Sequence, residues 1–164
     1  MVHTYVLTIC KALRKANDEL EMRVQERTAE LHEGNRSWQL ELAEDLPLIS
    51  ADYIQIEQVL VNLIRNSLEA FENAAVKARQ LVIKTYLNDE GKAQVEVTGT
   101  GPGMDAEILS HIFESYVSSK GEKGMGMGLS ISRSIIEVHS GRLWAESKPG
   151  HGATFYFTLP VDSN

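Results

Sequence analysis

Apolar residues recur at helical spacing in two long segments of this chain. In the first segment, the residues of one face are three or four positions apart: Ile56, Val59, Leu60, Leu63, Ile64, Ser67, Leu68 and Phe71. That spacing predicts an amphipathic helix that Asp52 caps and that ends near Ala78. The second segment predicts a helix from Leu129 to Ser140, which Gly141 ends. A short helix is predicted from Ala106 to Phe113.

Five shorter segments have the composition and the flanking turn residues of β-strands. They are Trp38–Leu42, Leu81–Leu87, Ala93–Thr98, Arg142–Glu146 and Thr154–Leu159. The turn Asn88-Asp89-Glu90-Gly91 joins the second and third strands, and Lys148 to Gly152 joins the last two. Antiparallel hairpins with helices crossing one face predict an α+β fold, a two-layer sandwich with a mostly antiparallel sheet.

The N-terminal segment has a different pattern. Residues 12–33 are charged, contain no Gly or Pro, and are rich in helix-forming residues. Steps of four and three residues outline a heptad seam: Leu13, Asn17, Leu20, Val24, Arg27 and Leu31. We therefore predict a helical linker at residues 1–35, ahead of a globular domain at residues 36–164. A parallel coiled coil that makes a homodimer is one interpretation, and a solvated helix packed on its own domain is the other.

Composition narrows the range of partners. The net charge of −7 disfavours a nucleic-acid partner, because proteins that bind the phosphate backbone usually present a basic face. A single cysteine, Cys10, cannot form an internal disulfide and is typical of a reducing compartment, so we expect a cytoplasmic location. No stretch of about 18 apolar residues is present, and we therefore predict no membrane segment.

Four separated motifs carry the candidate chemistry. Gln58, Asn62 and Asn66 are four residues apart, which places three amides on one stripe of the first long helix. Amide oxygens suit Mg²⁺, which is commonly shared between a protein and bound phosphates. Gly101-Pro102-Gly103 follows a strand, and Ile112-Phe113-Glu114 follows the short helix. Gly124-Met-Gly126-Met-Gly128-Leu129 opens the second long helix, where backbone amides and the helix dipole can receive phosphate oxygens.

The order of these motifs resembles the ATP-binding catalytic domain of sensor histidine kinases, a branch of the Bergerat-fold ATPases, from about Trp38 to Pro160. The resemblance implies that ATP and Mg²⁺ are bound, that Asn66 is the metal ligand and that Asn62 lies beside the phosphates. It also implies a mobile lid carrying Lys120, hinged near Phe113. Asn62, Asn66 and Lys120 would be the catalytic residues. The implied nucleotide-binding set is Asn62, Asn66, Gly99, Gly101, Gly103, Met104, Lys120, Gly124, Gly126, Met127, Gly128, Leu129 and Thr154.

Two positions of the chain separate the possible activities. Hydrolytic relatives carry a glutamate at the position of Asn62, and an amide has no useful basicity near neutral pH. Hydrolysis is therefore disfavoured against phosphoryl transfer to a histidine. A serine-directed kinase is disfavoured because the linker-like N-terminal helix is typical of a sensor protein. Kinases of this family carry an adenine-binding aspartate at the position of Gly99. The alternative to a kinase domain is accordingly a degenerate nucleotide-binding or interaction module.

The phosphoacceptor histidine is the remaining element of such a kinase. His32-Glu33 begins like the family motif, but Gly34 follows and the motif's proline is missing. A histidine at a helix end is the better interpretation of His32. We therefore expect the phosphoacceptor domain and the response regulator to lie outside this chain.

Overall fold

The computed structural model of the protein describes residues 35–72, 78–114 and 127–162. The predicted helix at 12–33, with its coiled coil and His32, lies outside these ranges. Lys120, Gly124 and Gly126 also lie outside them. The boundary between a linker at 1–35 and a domain at 36–164 remains a prediction.

A five-stranded sheet forms one layer of the domain. Its strands are β1 (Asn35–Leu42), β2 (Ala78–Leu87), β3 (Ala93–Gly99), β4 (Arg142–Ser147) and β5 (Ala153–Leu159). The spatial order is β1-β2-β3-β5-β4. β1 pairs parallel with β2, and every other pair is antiparallel. The predicted mixed, mostly antiparallel sheet is therefore confirmed, and all five predicted strands are present.

Within the described ranges, three helices accompany the sheet: α1 (Tyr53–Glu72), α2 (Ala106–His111) and α3 (Gly128–Val138). The predicted cap of α1 is present, because the Asp52 carboxylate accepts hydrogen bonds from the amides of Ile54 at 2.9 Å and Gln55 at 3.2 Å. The prediction that α1 ends near Ala78 is wrong, because Ala78 is the first residue of β2 and pairs with Asn35. One backbone cannot serve a helix and a sheet ladder together, so pairing with β1 overrides the helix propensity of Ala78.

The core lies between the sheet and helices α1 and α3. Alternate strand residues such as Val97 and Phe157, both 0% exposed, point toward Leu60 and Leu63 of α1, which are equally buried. Each helix contributes one apolar stripe to this layer. The two-layer α/β sandwich predicted from the sequence is therefore confirmed.

Polar and aromatic side chains cover the opposite face of the sheet. Trp144 and Tyr156 stack with ring centroids 5.1 Å apart. Tyr86 donates a short hydrogen bond to the Glu96 carboxylate and accepts one from the Gln94 amide at 2.7 Å. Burial, followed by the bond to Glu96, raises the pKa of Tyr86 to about 12. These cross-strand pairs hold the register of the sheet on the side away from α1 and α3.

Candidate nucleotide-binding site

One polar stripe of α1 connects the two glycine motifs within the described residues. The Asn62 side-chain amide contacts Gly128 at the start of α3. Two turns further along α1, a Cβ placed on Gly101 would lie 3.6 Å from the Cβ of Ala70. Positions 62, 66 and 70 share one helix face, so Asn66 lies between the two glycines. The rise of an α-helix separates the ends of this stripe by about 12 Å, which suits an elongated ligand.

A hydrogen-bond network holds the end of the stripe at Asn62. The Nδ2 group of Asn62 donates to the carbonyl oxygen of Gly128 at 3.3 Å and to the hydroxyl of Ser132 at 3.2 Å. The Ser132 hydroxyl in turn donates to the Gly128 carbonyl at 2.8 Å. Asn62 thereby joins α1 to the first turn of α3.

The beginning of α3 lies next to Asn62. Met127 is its N-cap residue and makes no side-chain capping bond. The first backbone amides of a helix have no partner within the helix, and together they form its positive end. Leu129 is partly buried against the hydrophobic core and anchors this first turn. The first turn of α3, with Met127, Gly128 and Leu129, thus lies next to Asn62, and its binding of phosphate remains a prediction.

The opposite end of the stripe has a different composition. Gly99 is the last residue of β3 and is buried. A Cβ at this position would lie 3.0 Å from the Cβ of Ser67, 3.3 Å from its hydroxyl oxygen and 3.6 Å from the ring of Phe71. The Ser67 hydroxyl already donates to the carbonyl of Leu63 at 3.1 Å. The groups that face Gly99 are therefore packed carbon atoms and a paired hydroxyl.

Backbone contacts attach the glycine loop after β3 to the hairpin between β4 and β5. Gly103 has φ +68°, and a Cβ there would lie 2.1 Å from the carbonyl oxygen of Lys148. The amide of Gly150 donates to the Pro102 carbonyl at 2.6 Å. At Gly152, with φ +78°, a Cβ would approach the Gly99 carbonyl to 2.1 Å. Glycine is required at 103 and 152 because no side chain fits between these backbones.

Two buried or half-buried serines support this geometry, and the sequence analysis missed both. Ser132 is 0% exposed and bonds to Asn62. Ser147 accepts a hydrogen bond from the Met104 amide at 2.8 Å and donates one to the Gly152 carbonyl at 2.7 Å. The available signal for Ser132 was a small polar residue on the apolar side of a helical repeat. Ser147, at the end of a strand, has no comparable signal.

Some predicted site residues do not lie along the stripe. The hydroxyl of Thr154 lies 3.1 Å from that of Thr98, across the β3–β5 pair. Both belong to the sheet face opposite α1, because the alternating residues Val97 and Phe155 point into the core. Phe113 is partly buried against the core at the end of the described segment. Its function as a hinge of the lid remains a prediction.

The donor set of the site suits a cation shared with phosphates. Among the described residues, no group of three or more His, Cys, Asp or Glu side chains is placed to hold a metal ion. Asn66 is half-buried on the stripe, and its amide oxygen makes no hydrogen bond within the described ranges. Mg²⁺ prefers oxygen ligands, keeps several waters and often takes only one or two protein ligands beside phosphates. The residues present therefore fit Mg²⁺ bound together with a nucleotide.

Comparison with known proteins identifies sensor kinases as relatives. Sensor protein FixL of Bradyrhizobium diazoefficiens is 49% identical over 114 residues, which cover 70% of this chain and 22% of FixL. Adaptive-response sensory kinase SasA of Microcystis aeruginosa is 38% identical over 127 residues, which cover 76% of this chain and 32% of SasA. The chain therefore spans between about a fifth and a third of the length of these relatives.

Solved structures share the fold. The catalytic domain of histidine kinase ThkA, in a nucleotide-free form, has a TM-score of 0.72 at 29% identity, covering 93% of this chain and 94% of that domain. Full-length ShkA, solved in complex with AMPPNP, has a TM-score of 0.75 at 24% identity, covering 94% of this chain and 30% of ShkA.

The family assignment is consistent with these relatives and with the site geometry. Among the helices in the described ranges, none is both long and apolar enough to cross a membrane. Residues 51–163, which include both glycine motifs and α1, match a single family. The resemblance to the catalytic domains of sensor histidine kinases is confirmed, and the chain belongs to the family of histidine kinase-, DNA gyrase B- and HSP90-like ATPases.

Proposed function

We propose that this chain is the catalytic domain of a two-component sensor histidine kinase and transfers the γ-phosphoryl group of ATP to a histidine of another domain. Members of the matched family bind ATP. The observation that carries the proposal is the stripe of α1, which has the first turn of α3 at one end, Gly101 at the other and Asn66 between them. This arrangement gives an elongated, negatively charged ligand contacts along its length.

Asn66 is the residue that we assign to Mg²⁺. Bound there, the ion would neutralise phosphate charge, while Asn66 contributes an oxygen ligand from a half-buried position. The amides of Gly128 and Leu129 would receive phosphate oxygens at the positive end of α3. Lys120, Gly124 and Gly126 belong to the same proposal through the family resemblance alone.

Asn62 supports transfer rather than hydrolysis. A general base must accept a proton from the attacking water, and a carboxamide does not do so near neutral pH. The Nδ2 group of Asn62 is also committed to α3 through Gly128 and Ser132. The site can therefore bind and orient a triphosphate while its γ-phosphoryl group awaits an external nucleophile.

The proposed partners follow from the relatives. FixL is a sensor protein and SasA a sensory kinase, and each is much longer than the matched segment. We accordingly propose that a phosphoacceptor histidine domain and a response regulator act with this chain, in the cytoplasm. The predicted N-terminal helix would join the domain to a dimeric partner or to a second copy.

A degenerate nucleotide module remains the second candidate, and Gly99 is the observation that favours it. In the family that the chain resembles, a carboxylate at this position accepts a hydrogen bond from the adenine amino group. This chain presents instead a buried glycine against Ser67 and Phe71. Loss of a charged hydrogen bond corresponds to about 1.5–3 kcal/mol, or about ten- to a hundredfold in affinity.

Calorimetric titration of Mg-ATP tests the two candidates. We expect the unaltered chain to bind with a dissociation constant between the micromolar and millimolar ranges, and Gly99→Asp to bind more tightly. The new side chain must displace Ser67 by a few tenths of an ångström, so thermal unfolding of both proteins is the necessary control. Failure of both folded proteins to bind Mg-ATP would refute the kinase proposal.

Phosphoryl transfer is tested separately with an isolated phosphoacceptor domain and ATP labelled at the γ position. We expect label on the acceptor histidine, together with ATP hydrolysis no faster than without protein. Binding of ATP without transfer to any cognate acceptor would favour the degenerate module. Rapid release of labelled phosphate without an acceptor would contradict the argument from Asn62.

A further inference from the structure

We infer that Ser132 is a positioning residue that fixes the orientation of the Asn62 carboxamide, so that its oxygen faces the metal–phosphate region. This inference rests on the proposed function, because it concerns a residue that acts on the proposed ATP site. The first observation is the burial of Ser132. Ser132 is 0% exposed in the middle of α3, at a position where the helical repeat calls for an apolar side chain.

The direction of each hydrogen bond in the network follows from the donors available. The carbonyl oxygen of Gly128 can only accept. The Ser132 hydroxyl gives its single proton to that carbonyl at 2.8 Å, and its oxygen is then an acceptor. Asn62 faces both acceptors at 3.3 and 3.2 Å, so its NH₂ group must be the side turned toward α3. A flipped carboxamide would place its oxygen against the Gly128 carbonyl oxygen and could pair with Ser132 only by drawing the hydroxyl proton away from that carbonyl.

The consequence concerns the other half of the same side chain. A carboxamide is planar, so Oδ1 lies beside the Nδ2 group that bonds to α3, and both atoms would lie 3.9 Å from a Cβ placed on Gly128. In the described part of the chain this oxygen accepts no hydrogen bond. An oxygen acceptor repels phosphate oxygens directly and attracts a cation or a cation-bound water. The orientation that Ser132 enforces therefore favours a metal-bound nucleotide over a metal-free one.

Serines of the same helix provide a matched control. Ser134 donates to the carbonyl of Ser130 at 3.1 Å, the same bond to the residue four positions earlier that Ser132 makes, but Ser134 is exposed and does not contact Asn62. Ser132→Ala and Ser134→Ala thus remove equivalent helical bonds. Only the first variant removes a partner of Asn62.

Nucleotide affinity in the presence and absence of Mg²⁺ is the first test, measured on the full chain by NMR titration, which resolves millimolar binding. We expect Ser132→Ala to raise the dissociation constant of Mg-ATP about fivefold, the factor for one neutral hydrogen bond. With ATP in EDTA we expect a change below about twofold. Ser134→Ala should change neither value. An equal loss with and without Mg²⁺ would overturn the inference.

A double-mutant cycle with Asn62→Ala tests whether Ser132 acts through Asn62. In the Asn62→Ala background, Ser132→Ala should have no further effect on Mg-ATP affinity. The same fivefold loss in both backgrounds would overturn the inference. Ser132→Cys separates the hydrogen bond from a packing defect, because a thiol fills the space but accepts hydrogen bonds weakly. We expect Cys to behave like Ala, and full recovery with Cys would overturn the inference.

The side-chain amide of Asn62 gives a readout that needs no nucleotide. Its NH₂ signals, assigned by their loss in Asn62→Ala, should exchange with solvent faster in Ser132→Ala and unchanged in Ser134→Ala. Unaltered exchange in Ser132→Ala would overturn the inference. Failure of both the unaltered chain and Gly99→Asp to bind Mg-ATP would overturn the proposed function and this inference together. Binding with an additive cycle would overturn the inference alone.

Discussion

The two ends of the α1 stripe differ in the chemical groups that surround them. At the Asn62 end, the side-chain amide of Asn62, the Ser132 hydroxyl and the Gly128 carbonyl form a polar network beside the position that we propose for phosphate. At the Gly99 end, backbone contacts attach a glycine loop to the β4–β5 hairpin, but the groups facing Gly99 offer no carboxylate. On the proposed function, we expect contacts to the phosphates and the metal to contribute more to nucleotide affinity than recognition of the base.

We expect the largest loss of stability from a substitution in the glycine loop, where two backbone segments are in close contact. Gly103→Ala places a Cβ 2.1 Å from the Lys148 carbonyl at a residue with φ +68°. We expect a loss of about 3 kcal/mol or more in the free energy of unfolding. Gly150→Ala is the matched control, because its φ is +79° and nothing lies within 4 Å. Only the left-handed conformation costs energy there, about 1–2 kcal/mol. Chemical denaturation compares the two, and equal losses would contradict the close approach of the loop and the hairpin.

The second-largest effect that we expect is a loss of Mg-ATP affinity when the middle of the stripe is altered. Asn66→Ala removes the proposed metal ligand from a half-buried position, so Mg-ATP affinity should fall about ten- to a hundredfold. Its melting temperature should stay nearly unchanged. Gln58→Ala is the control, because Gln58 lies on the same helix face, one turn before Asn62, and its side chain is exposed. Calorimetry with Mg-ATP measures both, and an Asn66→Ala protein that binds as tightly as the unaltered chain would remove Asn66 from the site.

A smaller effect tests packing at the Gly99 end. Gly99→Ala introduces a Cβ 3.0 Å from that of Ser67, and overpacking of this kind costs about 1–2 kcal/mol of stability. Gly101→Ala adds a Cβ at 3.6 Å from Ala70, an ordinary contact, and should change stability by less than about 0.5 kcal/mol. Urea denaturation distinguishes the two. If Gly99→Ala is fully stable, Ser67 yields easily, and an aspartate at position 99 would be accommodated without strain.

The smallest effect concerns the sheet face remote from both ends. The pKa of Tyr86 is raised to about 12 in the folded protein, above an unfolded value near 10. The neutral phenol is thus favoured by folding, so its contribution to stability is complete below about pH 10 and is lost as the pH rises through about 12. Tyr86→Phe should cost about 1 kcal/mol at pH 8 and remove part of that alkaline loss. Nucleotide affinity should not change, and thermal unfolding between pH 8 and pH 12 provides the measurement.

Local sequence patterns were sufficient to predict most of the helices, strands and turns. The three- and four-residue spacing along α1, the cap at Asp52 and the turn at Asn88–Gly91 all act within a few residues, and the structure confirms them. The end of α1 was mispredicted because it depends on β1, a strand more than 30 residues earlier in the chain. Helix propensity is a weak preference, and sheet pairing overrides it.

The sequence determines the chemistry of each site motif, whereas the tertiary structure determines how the motifs are brought together. Residue identities alone set the chemistry of each motif: amides at positions 62 and 66, glycines that admit close backbones, and no carboxylate at position 99. Their assembly depends on contacts between residues far apart in the chain, such as the bond from Asn62 to Gly128 across 66 positions. A buried hydroxyl has no periodic signature, so the parts played by Ser132 and Ser147 emerge only when packing places each one against a specific donor or acceptor.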